Sequence, residues 1–169
     1  RHNDHANKVL KAIESKKHCF VEKPLCIYEE ELEAIKEAYT GETIVQVGFN
    51  RRFSSMIEKM KKFISGQISV NYRINAGIIP KNVWIQDRTI GGGRIIGEVC
   101  HFIDTCSYLI GSEVKSVFAT SINKEDQSIP DEDNVNIVLK YENGSTATIS
   151  YYAYGDTSMP KEYIEVFTS

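Results

Sequence analysis

Residues 19–24, Cys19-Phe20-Val21-Glu22-Lys23-Pro24, decide how this chain is read. Three apolar residues form the end of a buried strand, and a charged pair and a proline follow at once. In an open α/β sheet, ligands bind just beyond the carboxyl ends of the strands. A lysine at that place can hold a substrate hydroxyl or transfer a proton, since partial burial and neighbouring cations lower its pKa. Glu22 is positioned to fix it. Pro24, with its fixed φ, stiffens the turn and biases Lys23 away from the helical region. The plainer alternative is a surface ion pair at a strand end, an arrangement that contributes little energy.

Around that stretch, helix and strand alternate. Residues 6–15 carry Val9, Leu10 and Ile13 at helical spacing, with Asn3 or Asp4 as candidate caps. Residues 18–21 form a strand. Residues 29–39 form a second helix, with Leu32, Ile35 and Ala38 on one face and Glu29, Glu30, Glu31 and Glu33 near its N-terminus, where the helix dipole favours negative charge. Gly41 ends it, and residues 44–48 form the next strand. This alternation predicts a parallel sheet and reads as the last third of a doubly wound domain.

After Asn50 the rhythm changes. Residues 55–64 form an amphipathic helix with Met56, Met60 and Phe63 apolar, and residues 67–76 a strand alternating at Ile68, Val70, Tyr72 and Ile74. Residues 77–93 are loop-like, with Trp84, Asp87 and Gly91-Gly92-Gly93. A strongly apolar helix over 94–110 is stopped by Gly111. Strands are expected over 114–121, 135–141, 146–152 and 163–167, and Glu142-Asn143-Gly144 marks a hairpin. Residues 123–133, polar and containing Pro130, are expected to be an exposed loop.

Composition sets limits. A hydrophobic share of 41% with 25% charged residues is that of a soluble globular protein. A net charge of −3 argues against a general nucleic-acid or anionic-membrane binder, and no apolar run approaches a membrane span. The chain opens on Arg1-His2 without a methionine or secretory leader, and is expected to be a piece of a longer cytoplasmic protein. Its four cysteines include no CxxC and are expected to be reduced and mostly buried. No metal site is expected, because Cys100, His101 and Cys106 match no usual ligand spacing.

Helix 94–110 supplies a second constellation. Gly97, His101 and Asp104, at offsets of four and three, fall on one stripe beside the apolar face. His101 can exchange a proton near neutral pH. The alternative is a half-buried histidine satisfied by Asp104.

Four ordered motifs together resemble the Gfo/Idh/MocA oxidoreductases. These are Asn3 and His5 before the first helix, His18-Cys19-Phe20-Val21-Glu22-Lys23-Pro24, Gly48-Phe49-Asn50-Arg51-Arg52-Phe53, and Gly91-Gly92-Gly93 through His101-Phe102-Ile103-Asp104. The resemblance covers nearly the whole chain, and it is nearest to sugar-nucleotide or polyol dehydrogenase-like members. It implies a fold of α/β plus α+β class. Residues 1–49 would be the C-terminal portion of a Rossmann dinucleotide-binding domain. Residues 50–169 would be an open, mainly antiparallel sheet domain with helices on one face, which binds substrate and mediates a homo-oligomer.

The activity implied is NAD(P)-dependent hydride transfer at a secondary hydroxyl of a sugar, polyol or nucleotide sugar. Lys23 would orient the reacting hydroxyl, its ammonium stabilising the developing alkoxide, and His101 would exchange the proton. Asn3, His5, Glu22, Lys23 and Pro24 would lie at the cofactor, NAD or NADP. Asn50, Arg51, Arg52, Trp84, Asp87, Gly97 and Asp104 would lie at the substrate. Arg51 and Arg52 suit a carboxylate or phosphate held bidentately, and Trp84 and Asp87 suit stacking on and hydrogen bonding to a sugar. Each also has a purely structural alternative, at a domain junction or under a loop.

Two departures from the family pattern stand out. Many members carry an aspartate four residues before the histidine, where this chain has Gly97; the adjacent Glu98 points about 100° away around an α-helix. The pyrophosphate-binding glycine loop and the acidic ribose ligand belong upstream of Arg1, so these 169 residues alone are expected to bind NAD(P) poorly. The reading from a different class is a non-catalytic ligand-binding or dimerisation module of the same fold.

Overall fold

The computed structural model describes residues 1–122 and 133–168. All but one residue of the expected loop over 123–133 lies outside the described residues. The chain forms two compact units, one of residues 1–49 with 82–100, the other of residues 50–81 with 101–169. The segment 82–100, read from sequence as part of the second domain, therefore belongs to the first unit. Contacts more than seventy residues apart in sequence, described below, hold it there.

In the first unit, a short 3-10 turn at His2–Asp4 leads into α1 (His5–Glu14). Neither Asn3 nor Asp4 caps α1 through its side chain, contrary to expectation; the 3-10 turn runs directly into the helix, and Asp4 reaches Lys8 one turn on at 3.4 Å instead. Strand β1 (Cys19–Val21) pairs in parallel with β2 (Val45–Val47), and α2 (Glu29–Ala38) lies between them in sequence. The start of α2 is fixed by Glu31, whose carboxylate accepts from the backbone N–H groups of Ile27 (2.9 Å) and Tyr28 (3.2 Å). That bond satisfies donors a helix start would otherwise leave open. Ala6, Val9, Ile13, Val21 and Ile35 form the unit's buried core. The helical spacing in α1 and α2 delivers these apolar side chains onto the strand pair.

In the second unit a 3-10 turn at Asn50–Phe53 precedes α3 (Ser55–Phe63), then β3 (Ile68–Asn75). A wider π-helical turn at Ile95–Val99, still in the first unit, runs directly into α4 (Cys100–Ile110). Strands β4 (Val114–Ser121), β5 (Asn134–Tyr141), β6 (Thr146–Tyr152) and β7 (Glu162–Thr168) follow. They form a five-stranded sheet in the order β4-β5-β6-β3-β7. Every pair is antiparallel except β3 with β6, so the sheet is mainly antiparallel as expected.

The period-2 pattern of β3 buries Ile68, Val70, Tyr72 and Ile74 on one face. The fully buried Phe102 of α4 packs on that face, its ring edge-on to Tyr72 at 5.1 Å and tilted against Tyr151 at 6.1 Å. Lys61 of α3 donates to the backbone oxygens of Tyr108 (2.9 Å) and Leu109 (2.7 Å). A cation at a helix C-terminus satisfies open carbonyls and complements the dipole. Gly111, at φ +70, then turns the chain out of α4. The anticipated hairpin joins β5 to β6, with Gly144 at φ +87.

Among the described residues no disulfide joins the four cysteines; only Cys106 is buried and the other three are half-buried, fewer buried thiols than expected. Burial pushes the Cys106 thiol up to about 12. Among the described residues no helix is long and apolar enough to cross a membrane, and no cluster of three or more His, Cys, Asp or Glu is placed to hold a metal ion.

Candidate active site

In the first unit, β1 and β2 end side by side at Val21 and Val47. Glu22 and Lys23 follow the first end, and Gly48 the second. This is the edge at which open parallel sheets bind ligands. The Glu22 carboxylate lies over Gly48, where a Cβ would stand 3.1 Å from Oε2. Glu22 therefore does not pair with Lys23. Lys23, half-buried, donates instead through Nζ to the carbonyl oxygen of Gly97 at 2.5 Å, in the π-helical turn. π-Turns are rare and concentrate at functional sites. The Lys23–Pro24 peptide is cis, and the Pro24 carbonyl accepts a hydrogen bond from His5 Nδ1 at 2.7 Å.

The start of the chain closes on the glycine loop. The Asn3 N–H donates to the Ile90 carbonyl at 3.1 Å, and His2 Nδ1 donates to the Gly91 carbonyl at 2.7 Å. The His2 ring meets Trp84 edge-on at 4.9 Å and lies 5.6 Å from the His5 ring, and the Arg1 guanidinium sits over Trp84 at 5.9 Å. The His2 pKa is lowered by burial foremost and by the nearby charges of His5 and Lys23, against the pull of the Gly91 bond.

Asp87 organises the loop. Its carboxylate accepts from the Thr89 N–H (2.8 Å) and hydroxyl (2.7 Å), which hold its pKa below the usual carboxylate range. Its carbonyl accepts from the N–H groups of Gly91 and Gly92. The three glycines serve a backbone approach within the protein: a Cβ on Gly91 would stand 2.4 Å from the Ile85 carbonyl oxygen, and Gly92 and Gly93 adopt φ of +77 and +76.

The π-turn changes the reading of residues 94–98. Glu98 accepts from Arg94 Nη2 at 2.9 Å, and the Arg94 side chain is only 1% exposed. A buried arginine fixing Glu98 was not expected, because the apolar residues around it fit an ordinary helical period. His2 also went unremarked; its partners lie more than eighty residues away in sequence, and no local pattern announces them.

In the second unit, His101 is buried in α4, and its carbonyl accepts from the Thr105 hydroxyl at 2.8 Å. Asp104, one turn on, is engaged by Arg52, which donates through Nε at 2.7 Å and through Nη2 to the other oxygen. Arg51 is engaged likewise, donating to Glu162 through Nε (3.2 Å) and Nη2 (2.6 Å) while its guanidinium lies 4.7 Å from the Phe102 ring centre. Tyr72 adds its hydroxyl to Glu162 at 2.5 Å. Asn50 is exposed at the start of its 3-10 turn. Both arginines thus hold carboxylates of this chain in the forked geometry expected for a substrate anion.

The profile of the GFO/IDH/MocA C-terminal domain matches residues 63–168. The chain belongs to the Gfo/Idh/MocA family of oxidoreductases. It is 32% identical to an uncharacterized oxidoreductase of Bacillus subtilis over 86% of this chain and 44% of that protein. It is 28% identical to the myo-inositol 2-dehydrogenase of Thermotoga maritima over 99% of this chain and 52% of that protein. A probable dehydrogenase from Thermotoga maritima has a similar solved structure, with a TM-score of 0.71 at 27% identity over 100% of this chain and 52% of its own. The chain thus spans about half the length of these relatives.

Proposed function

We propose that the protein carrying this chain is an NAD(P)-dependent dehydrogenase that transfers hydride between the nicotinamide and a secondary hydroxyl of a sugar, polyol or nucleotide sugar. The observation that carries the reading is the Lys23 ammonium, half-buried just past the end of β1 and held by the Gly97 carbonyl. A cation fixed there in advance stabilises the negative charge that grows on the substrate oxygen as the alcohol is oxidised.

The residues present fit a dinucleotide on one count. The paired ends of β1 and β2 leave Glu22, Lys23 and Gly48 at the position where such sheets take up ligands. Asn3, His5, Glu22, Lys23 and Pro24 would border the nicotinamide, which supplies the hydride acceptor when bound. Lys23 would donate to the reacting oxygen. His101 would take the hydroxyl proton during oxidation and return it during reduction. With Gly97 offering no side chain, these two groups would carry the acid–base work. Trp84 and Asp87 would contact the sugar through the loop they shape. Arg51, Arg52 and Asp104 would act by holding the second unit's frame.

The second unit would also carry a homo-oligomer contact. On β4, Phe118 is 66% exposed, a cost in water that a second copy of the sheet packed on that face would relieve. Sedimentation of the intact gene product tests this: a dimer or larger species supports it, and a monomer at every concentration rejects it.

The test of the reaction is reduction of NAD or NADP by the intact gene product across a panel of polyols, aldoses and nucleotide sugars. Turnover of at least one polyol or sugar is expected. Binding of such compounds without any turnover would favour the non-catalytic module.

A further inference from the structure

We propose that His2 is a substrate-binding residue that selects a neutral vicinal diol at the reacting carbon and disfavours an anionic neighbour. The inference rests on the reading of Lys23 as the group that meets the reacting oxygen. A carbonyl only accepts, so the 2.7 Å bond to the Gly91 oxygen places the proton of the His2 ring on Nδ1. Nε2 is then a bare acceptor, and no residue of the chain donates to it among the described residues. The lowered affinity of the ring for a second proton, set foremost by burial, keeps it so near neutral pH.

Position 97 determines where the ring can lie. A Cβ at Gly97 would stand 3.1 Å from His2 Cε1, tighter than ordinary contact, so the ring lies on bare backbone. The carbonyl of the same residue takes the Lys23 ammonium at 2.5 Å. Lys23 Nζ, a fixed donor, and the His2 ring, which carries the acceptor Nε2, thus meet the same glycine. The Gly91 bond and the edge-on contact with Trp84 hold the ring in place.

A diol matches this pair in polarity. One oxygen accepts from Lys23, and the neighbouring hydroxyl donates to Nε2. A carboxylate or phosphate beside the reacting carbon has no hydrogen to give, and its charge would face the Nε2 lone pair. The pair therefore reads the neighbouring position for a hydroxyl, and Gly97 is the residue that leaves room for the His2 ring.

The experiment uses the intact gene product with ¹⁵N-labelled histidine and myo-inositol as the probe. The Nδ1–H tautomer of neutral His2 is expected at pH 7, with a shift of its Nε2 resonance on adding inositol. In steady-state assays, the preference in kcat/KM for a polyol over its analogue lacking the neighbouring hydroxyl is expected to fall on the order of tenfold in His2→Phe. His2→Gln, whose amide oxygen restores an acceptor, is expected to recover it. An Nε2–H tautomer, an unmoved Nε2 resonance under saturating inositol, or an unchanged preference in His2→Phe would overturn the assignment. If the protein turns over no polyol, sugar or nucleotide sugar, the dehydrogenase reading fails by itself, and the inositol-dependent Nε2 shift still decides the role of His2.

Discussion

Arg51 and Glu162, separated by 111 residues in sequence, are joined by two parallel hydrogen bonds, and the Tyr72 hydroxyl completes the carboxylate's shell. The three groups tie the turn after residue 49 to two neighbouring strands of the sheet. Burial raises the Glu162 pKa, but the Arg51 and Tyr72 bonds outweigh it and hold the pKa below the usual glutamate value. A depressed folded-state pKa gives stability that is present above the unfolded value and is lost as pH falls through the folded one. Denaturant unfolding of the wild type should therefore show stability declining with acidification below pH about 4.5, with a flatter decline in Glu162→Gln. Arg51→Ala should cost about 2 kcal/mol at neutral pH, since it strands a half-buried carboxylate.

Gly91 is pressed against backbone. Its missing Cβ would overlap the Ile85 backbone, which cannot swing aside as a side chain can. Gly91→Ala should destabilise by more than about 2 kcal/mol through overpacking. Gly41→Ala, at φ +84 with open space around it, should cost only about 1 kcal/mol of backbone strain. Thermal melts of the two variants side by side test the difference.

Lys61 caps α4 by reaching two of its last carbonyls. Lys61→Met keeps most of the stem and removes the donor. It should cost about 1 kcal/mol and leave the fold intact by circular dichroism.

Thiol alkylation should separate the cysteines. Cys106, buried and pushed up to about 12, should remain unmodified at pH 8 until the chain is unfolded. Cys19, Cys26 and Cys100, half-buried, should react earlier, with mass spectrometry of the peptides giving the order.

Much of the fold was legible because it is local. Alternation at Ile68, Val70, Tyr72 and Ile74 marked the buried face of β3 correctly, and Asn143-Gly144 marked the β5–β6 hairpin. The parallel pairing of β3 with β6 left no local trace, since its partners are more than seventy residues apart in sequence. The π-turn was hidden because Ile95, Ile96 and Val99 satisfy an α-helical period equally well. The allocation of residues 82–100 to the first unit depends on His2, Asn3 and Lys23 bonding to Gly91, Ile90 and Gly97, contacts between backbone carbonyls and distant donors that no side-chain pattern encodes. The place of Lys23 just past the end of β1 was legible from the apolar run before it, whereas the Arg52–Asp104 and Arg51–Glu162 pairs could be seen only once the chain was folded.

In the function proposed above, the Lys23 ammonium stabilises charge on the reacting oxygen. The most direct measurement is kcat for hydride transfer by Lys23→Met in the intact gene product, on a substrate the wild type oxidises. A fall on the order of a hundredfold or more, with the fold preserved, is expected. A Lys23→Met enzyme that turns over at the wild-type rate would contradict it.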